Sequence, residues 1–393
     1  MQSSRFSTTL FLWLIFTCVH GQNREGMKSL DSKPVLTVQD IQLARTKMDT
    51  TVTFMISLSE PSKKPAKIKY RTVSGSAKAG KEFKASRGSV TVPAGALQAR
   101  IDIVILGDSL RQDDLFFTLE LTGARNCILA KPSATATVVN RNNTYLPTDD
   151  AGYSTPLHYP GRRLVWNDEF NSDRVDLSSW NFETGGNGWG NKELENYTTR
   201  PDNVFVSGGN LIIEARRENY GSNLYTSARM TTKGKREFQF GRVDIRAKLP
   251  VGNGIWPALW MLGSNISTTH WPACGEIDIM ELIGKYPSRI YGTLHFADSS
   301  GKHAQAGTVF NLPGEDFSKR FHVFSLLWQR DSIQIMVDDQ PYFNYVNTKG
   351  KNPFNAPFFF LFNVAVGGQF PGNPDALAAF PERMFVDYIR VYN

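Results

Sequence analysis

The chain has 393 residues, 44 basic against 37 acidic side chains, and a formal charge of +7. At roughly 150 residues per domain this length suggests two or three domains. An apolar fraction of 41% with 21% charged residues excludes a mainly disordered chain and a multi-span membrane protein, and three cysteines are too few for a disulfide scaffold.

The first 21 residues (MQSSRFSTTLFLWLIFTCVHG) join a basic residue, Arg5, to an apolar stretch from Leu10 to Val19. That is the layout of a signal peptide cleaved near Gln22, and it is short for a membrane span. No other long apolar run follows, so a secreted, soluble chain with no membrane partner is expected. Cys18 leaves with the leader. Cys127 and Cys274 are expected in different domains, as two buried free thiols. Sequons at Asn142, Asn196 and Asn265 suit secretion and are candidate glycosylation sites, each weak alone.

Residues 22–150 hold 19 basic and 13 acidic side chains, whereas residues 151–393 hold 24 of each. The basic excess therefore belongs to the first half. TVTFMISL, AKIKYRTV, GSVTVPAG, ARIDIVIL and LFFTLEL alternate or run apolar between turn residues, which predicts a seven-strand sandwich of about 100 residues. These segments, with the Gly/Ala-rich stretch from Val73 to Lys84, resemble a Calx-β domain over residues 33–140. Domains of that family can bind calcium through clustered acids. The matching stretches here carry Lys81-Glu82-Phe83, Asp108 and Asp113-Asp114, and the final run reads VNRN, so this half makes a poor calcium site. With no Trp and few Tyr it is no aromatic sugar platform. Two readings stand: a spacer or stabilising module, or a basic patch that holds the protein on an anionic wall. Residues 141–160 are polar and Pro-containing and read as a linker.

Residues 161–393 are again strand-rich. NLIIEARR, GRVDIRAKL, SRIYGTLHF, HVFSLLWQ, SIQIMVDD, FFFLFNVAV and MFVDYIRVY predict an antiparallel sandwich of two large sheets. The fold class is thus all-β throughout. The informative segment is GEIDIMELIG, in which Glu276, Asp278 and Glu281 lie at i, i+2 and i+5. In a regular strand i and i+2 share a face and i+5 points the other way. One bulged residue between Asp278 and Glu281 returns the third acid to that face, leaving Ile277 and one or both of Ile279 and Met280 in the core. Retaining glycoside hydrolysis needs a carboxylate nucleophile and a protonated carboxyl flanking one bond. Three acids on one face make full ionisation costly, so one keeps its proton. An exposed acidic strand face is the alternative on spacing alone.

GEIDIMELIG resembles the active-site strand of glycoside hydrolase family 16 in its bulged, laminarinase-like form, with Met280 as the additional residue. LVWNDEFN, NKELENYT, GIWPALWML, YGTLHF, FLFNVAVGGQFPG and FVDYIRVY extend the resemblance across the second half. It implies a β-jelly-roll with an open cleft and endo-hydrolysis of β-1,3-glucan with retention. It also implies Glu276 as nucleophile, Asp278 as its assistant, Glu281 as acid/base, and no cofactor for catalysis. Trp256 and Trp260, four apart, fit either core or cleft by spacing; the resemblance places them in the cleft, with Trp271 as a third wall. His295 gains a place near the acid/base, Asn187 and Arg229 at the negative subsites, and Asn363 and Gln369 as further sugar contacts. Each polar residue could equally be a turn or cleft-edge hydrogen bond. A structural calcium on the convex side would use Glu169, Gly208 and Asp387. Relatives that bind glucan but lack the carboxylates, and transglycosylases that pass the sugar to another sugar, are the rival readings. No nucleic-acid signature is present, the Gly-rich Gly186–Gly190 run lacks a phosphate-cradle setting, and a monomer acting on β-1,3-glucan is expected.

Overall fold

The computed structural model describes residues 33–140, 143–347, 353–376 and 378–393. Residues 1–21, read above as a signal peptide, and the sequon residue Asn142 lie outside them. Among the described residues no helix is long and apolar enough to cross a membrane.

The first half forms two sheets. One orders Gln98–Ile105, Thr50–Leu58, Val35–Val38 and Ile128–Leu129; the other orders Ile41–Ala44, Ser133–Val139, Leu115–Arg125, Ala66–Ser74 and Arg87–Val92. Alternation sends Val52, Phe54, Ile56 and Leu58 inward, onto Phe83 and Phe117. The described sandwich thus has nine strands rather than the seven expected. The first segment switches sheets after Val38, and the strand Ile128–Leu129 is two residues long. Pieces this short carry no readable period. Cys127 and Cys274 are both buried and free, as expected.

From residue 143 the polar stretch read as a linker lies against the modules it joins. Leu110 bridges Tyr145 and Gly152 bridges Phe321. The Leu146 N–H donates to Ser207 Oγ at 2.8 Å. Arg246 donates to the carbonyls of Asp150 (2.7 Å) and Tyr153 (2.6 Å). Its polar backbone is satisfied by the sheet it lies on, not by water alone.

The second half is a sandwich of a ten-stranded and a seven-stranded sheet. The smaller runs Asn181–Glu183, Arg229–Thr231, Phe358–Val366, Ile255–Gly263, Glu276–Leu282, Arg289–Ala297 and His303–Asn311. Leu259, Met261, Ile277, Leu294 and Phe360 from this sheet meet Ile213, Ile245, Phe324 and Ile389 from the other in one core. Phe358–Val366 is buried at every position. It lies centrally, with core on one side and site residues on the other, so it reads as a continuous apolar run.

Candidate active site

The acids lie on Glu276–Leu282, between Ile255–Gly263 and Arg289–Ala297. Asp278 pairs with Thr293 and Glu281 with Tyr291, so Ile279 and Met280 together oppose Gly292. Against the other neighbour Met280 pairs with Leu259 and Trp260 with Asp278. The residue left without a partner there is Ile279, not Met280, which corrects the position of the bulge by one. Ile277, Ile279, Met280 and Leu282 all enter the core, so burying four apolar side chains drives the irregularity. A Cβ on Gly292 would lie 2.6 Å from the Tyr342 hydroxyl; a larger residue there would displace the ring packed beneath the bulge.

Glu281 shares the cleft face with the other two acids. Its Oε1 accepts the Trp256 Nε1–H at 3.0 Å. His295 Nε2 lies 3.2 Å from Asp278 Oδ2 and 3.8 Å from Glu276 Oε1. Asp278 is 4% exposed. Burial, then the Asp278 charge and Glu281, push the Glu276 carboxyl well above the usual range, while His295 and Arg229 pull it back. Burial and then Glu281 raise Asp278 well above its usual range. Burial raises Glu281, opposed by the Trp256 hydrogen bond and His295. Each of the three carboxyls is thus held above its ordinary range, and the charge on one raises the cost of ionising the others. Glu276, Asp278 and His295 offer ligand atoms within 4.8 Å of one another, so they could hold a cation as well as share a proton.

The other named residues fall into two arms. On one side the Arg229 guanidinium lies between the Trp189 ring (4.9 Å) and the Trp260 ring (4.8 Å) and donates to Glu183 at 2.5 Å. Trp260 Nε1 donates to Asn363 Oδ1 at 2.8 Å, and Asn363 Nδ2 donates to the Tyr197 hydroxyl at 3.2 Å. Trp256 and Trp260 are half-buried and outside the core, because positions 256 and 260 share a strand face opposite Leu259 and Met261. On the other side Trp271 is 45% exposed and covers His303 at 4.7 Å and His295 at 6.2 Å. Asn187 and Gln369 are exposed. The Gln369 N–H donates to the Asn191 carbonyl (2.8 Å), tying its turn to the loop that carries Asn187.

Glu183, Trp189, Tyr197 and His303 were not legible as site residues. Glu183 is placed by its cross-strand pairing with Arg229. Trp189 sits at φ 45° between Gly188 and Gly190, both also at positive φ, and its Nε1 donates to the Gly185 carbonyl at 3.0 Å. The Gly-rich run is thus a turn that delivers one indole to Arg229.

The convex set of Glu169, Gly208 and Asp387 does not suit a calcium ion. Arg390 donates to both Glu169 oxygens at 2.8 and 2.7 Å. Arg246 donates to Asp387 at 2.8 Å, and Asn210 donates to the Gly208 carbonyl at 3.0 Å. A hard cation needs six to eight oxygens free to face it, and here guanidinium groups already meet the carboxylates.

Comparison with known proteins adds an independent line. The description "Glycosyl hydrolases family 16" matches residues 191–390, and the Calx-beta domain matches residues 30–143. The chain is similar to Glucan endo-1,3-beta-glucosidase A1 of Niallia circulans, 39% identical over 62% of this chain and 40% of that protein. It therefore spans less than half the length of that relative. It is 42% identical to a Beta-glucanase of Rhodothermus marinus over 59% of this chain and 86% of that one. Among solved structures, the laminarinase catalytic domain of Thermotoga maritima is 46% identical, with TM-score 0.55, over 59% of this chain and 98% of that domain.

Proposed function

The chain belongs to glycosyl hydrolases family 16, and from that premise we propose an endo-1,3-β-glucanase working by retaining double displacement. The observation that carries this reading is the placement of three acids on one sheet face in the middle of a row of aromatic and polar side chains. From Arg229 to His303 the row crosses five strand steps, about 24 Å at the usual strand spacing. Acids at the centre of so long a groove meet internal bonds of a chain, not its ends. The relatives named for 1,3-β-glucan and the laminarinase structure support the substrate class.

Glu276 attacks the anomeric carbon and forms the glycosyl–enzyme ester, while the proton of Glu281 goes to the departing glycosidic oxygen. Water then attacks the same carbon, gives its proton to Glu281, and releases Glu276. Asp278, close to both, keeps a proton available to the trio as charge moves. Trp256, donating to Glu281, favours its ionised form after the first step. Arg229, Trp260 and Trp189 offer ring faces and donors for bound glucose units.

Azide rescue with activated β-glucosyl substrates tests the roles. Glu276→Gly with azide should yield the α-glycosyl azide, and Glu281→Ala the β-glycosyl azide. The opposite assignment of products would exchange the two roles. An inverted first product from the wild type, read by NMR on laminarin, would end the double displacement.

Export of the chain through the 1–21 leader is part of the same proposal, since polymeric glucan lies outside cells. Of the sequons within the described residues, Asn265 is exposed in a turn and Asn196 is half-buried on a strand, so Asn265 is the favoured glycan acceptor. Mass spectrometry of chain expressed in a secreting eukaryotic host reads both.

A further inference from the structure

His303 lies at the start of the edge strand His303–Asn311, after the turn 298–302. Asp298 Oδ1 closes that turn, accepting from the N–H groups of Ser300 (2.8 Å) and Lys302 (3.0 Å). The turn sets the hairpin register: Ala297 pairs with His303 and His295 with Gln305. His303 is therefore the diagonal neighbour of His295 on the same sheet face, a separation that long or aromatic side chains bridge.

The rings meet. His303 Nε2 lies 2.9 Å from His295 Nδ1, and the Trp271 ring lies against His303, tilted by 35° at 4.7 Å. At its other nitrogen His295 faces Asp278 and Glu276, and Glu281 and Arg229 complete the charged groups around that pair. When the facing carboxylate is ionised, His295 must carry its proton on Nε2. In the neutral ring Nδ1 is then an acceptor, and the group that meets it is His303 Nε2 at 2.9 Å. Burial and the neighbouring His295 push the His303 imidazolium down, toward the neutral form.

We propose that His303 is a positioning residue for the hydrolysis. By donating to His295 Nδ1 under the cover of Trp271, it fixes the tautomer and ring angle with which His295 addresses Asp278 and Glu276. His303 touches no reacting atom. The inference rests on the enzymatic reading above and adds to it a residue at the sheet edge, outside the acid strand.

The test compares His303→Ala with His303→Gln, whose amide N–H can still donate but cannot titrate. Turnover of laminarin and the His295 tautomer, read from long-range ¹⁵N–¹H correlations, are measured on each full chain. In His303→Ala, kcat should fall about tenfold with KM within about twofold, the scale of a misplaced catalytic group, and His295 should populate both tautomers. His303→Gln should recover most of the kcat and the single Nε2–H tautomer. Unchanged kcat and tautomer in His303→Ala would overturn the proposal. So would a kcat loss that Gln fails to rescue while the tautomer stays fixed, since that pattern marks packing alone. The tautomer measurement needs no substrate. A wild type inert on laminarin would sink the enzymatic reading and still leave the His303–His295 contact decided.

Discussion

Three acids on one sheet of the second sandwich and one acid on the other are held in opposite states. On the seven-stranded sheet, burial raises Glu276, Asp278 and Glu281, and each acid adds to the cost of ionising the next. On the ten-stranded sheet, Glu214 is fully buried under the N-terminal module. Burial pushes it up as well, but Arg111, Arg383 and Arg216 outweigh burial and hold it below the usual carboxylate range. Arg111 comes from the Calx-β sandwich and is 1% exposed at its side chain. It donates to both Glu214 oxygens at 3.1 Å, to the carbonyls of Asn143, Pro201 and Asp202, and stacks 4.1 Å over Phe205. Carboxyls withdrawn from water are thus pushed up where their neighbours are acids and held ionised where their neighbours are arginines.

The comparison breaks first on activity. Glu276→Gln or Glu281→Gln should lower kcat on laminarin by about 10³-fold or more without loss of melting temperature. Glu214→Gln should leave kcat within about twofold under native conditions. Activity that depends on Glu214 and survives without Glu281 would reverse the assignment of the two regions.

Stability gives the next largest effect. Glu214→Gln leaves buried guanidinium groups unmatched and should cost about 3–5 kcal/mol, seen in calorimetry as a fall of roughly 10 °C. Arg111→Ala should cost less, about 2 kcal/mol, because two arginines still face Glu214. It should also separate the unfolding of the two modules into distinct transitions. A single unshifted transition in Arg111→Ala would show that the modules are not coupled through this contact.

The pH dependence sharpens the contrast because the signs differ. The folded-state pKa of Glu214 is depressed, so its contribution is present above the unfolded value, about 4.3, and is lost as pH falls through the folded value. Asp278 is raised, so its ionisation opposes folding at neutral pH and not below its unfolded value. Asp278→Asn should therefore raise stability by about 1–2 kcal/mol at pH 7 and by nothing measurable at pH 3. The smallest effect belongs to Trp256→Phe. Losing the Nε1–H donor removes an interaction that lowers Glu281, so the alkaline limb of kcat/KM should move up by less than about one unit. A downward move would contradict the hydrogen bond's role.

Much of the site is local and so was legible. The spacing of Glu276, Asp278 and Glu281 demands an irregular strand, and the observed register shift falls between the second and third acids. Trp256 and Trp260 were ambiguous because a spacing of four shares a face on a helix and on a strand alike; pairing with Phe358–Val366 settles them as strand residues. The unpartnered residue was misplaced by one, since Ile279 and Met280 are both apolar and sequence alone does not say which the neighbouring strand skips. His303 and Glu183 were missed for a different reason. Each reaches the site through cross-strand register, which turn geometry and distant pairing decide.

The docked segment from residue 143 onward shows the same limit. Its polar, Pro-containing composition is that of a tether, and nothing local reveals that Arg246 and Ser207 take up its backbone and side chains. Composition, alternation and the acid spacing by themselves determined an all-β chain, two modules and the chemistry that three facing carboxyls can perform, because those depend on side-chain direction along one strand. Which carboxyls are raised and which are held ionised was decided only by tertiary structure. Charge in a buried place is governed by whatever partner the fold brings within a few ångströms, and Arg111 lies 103 residues away from Glu214.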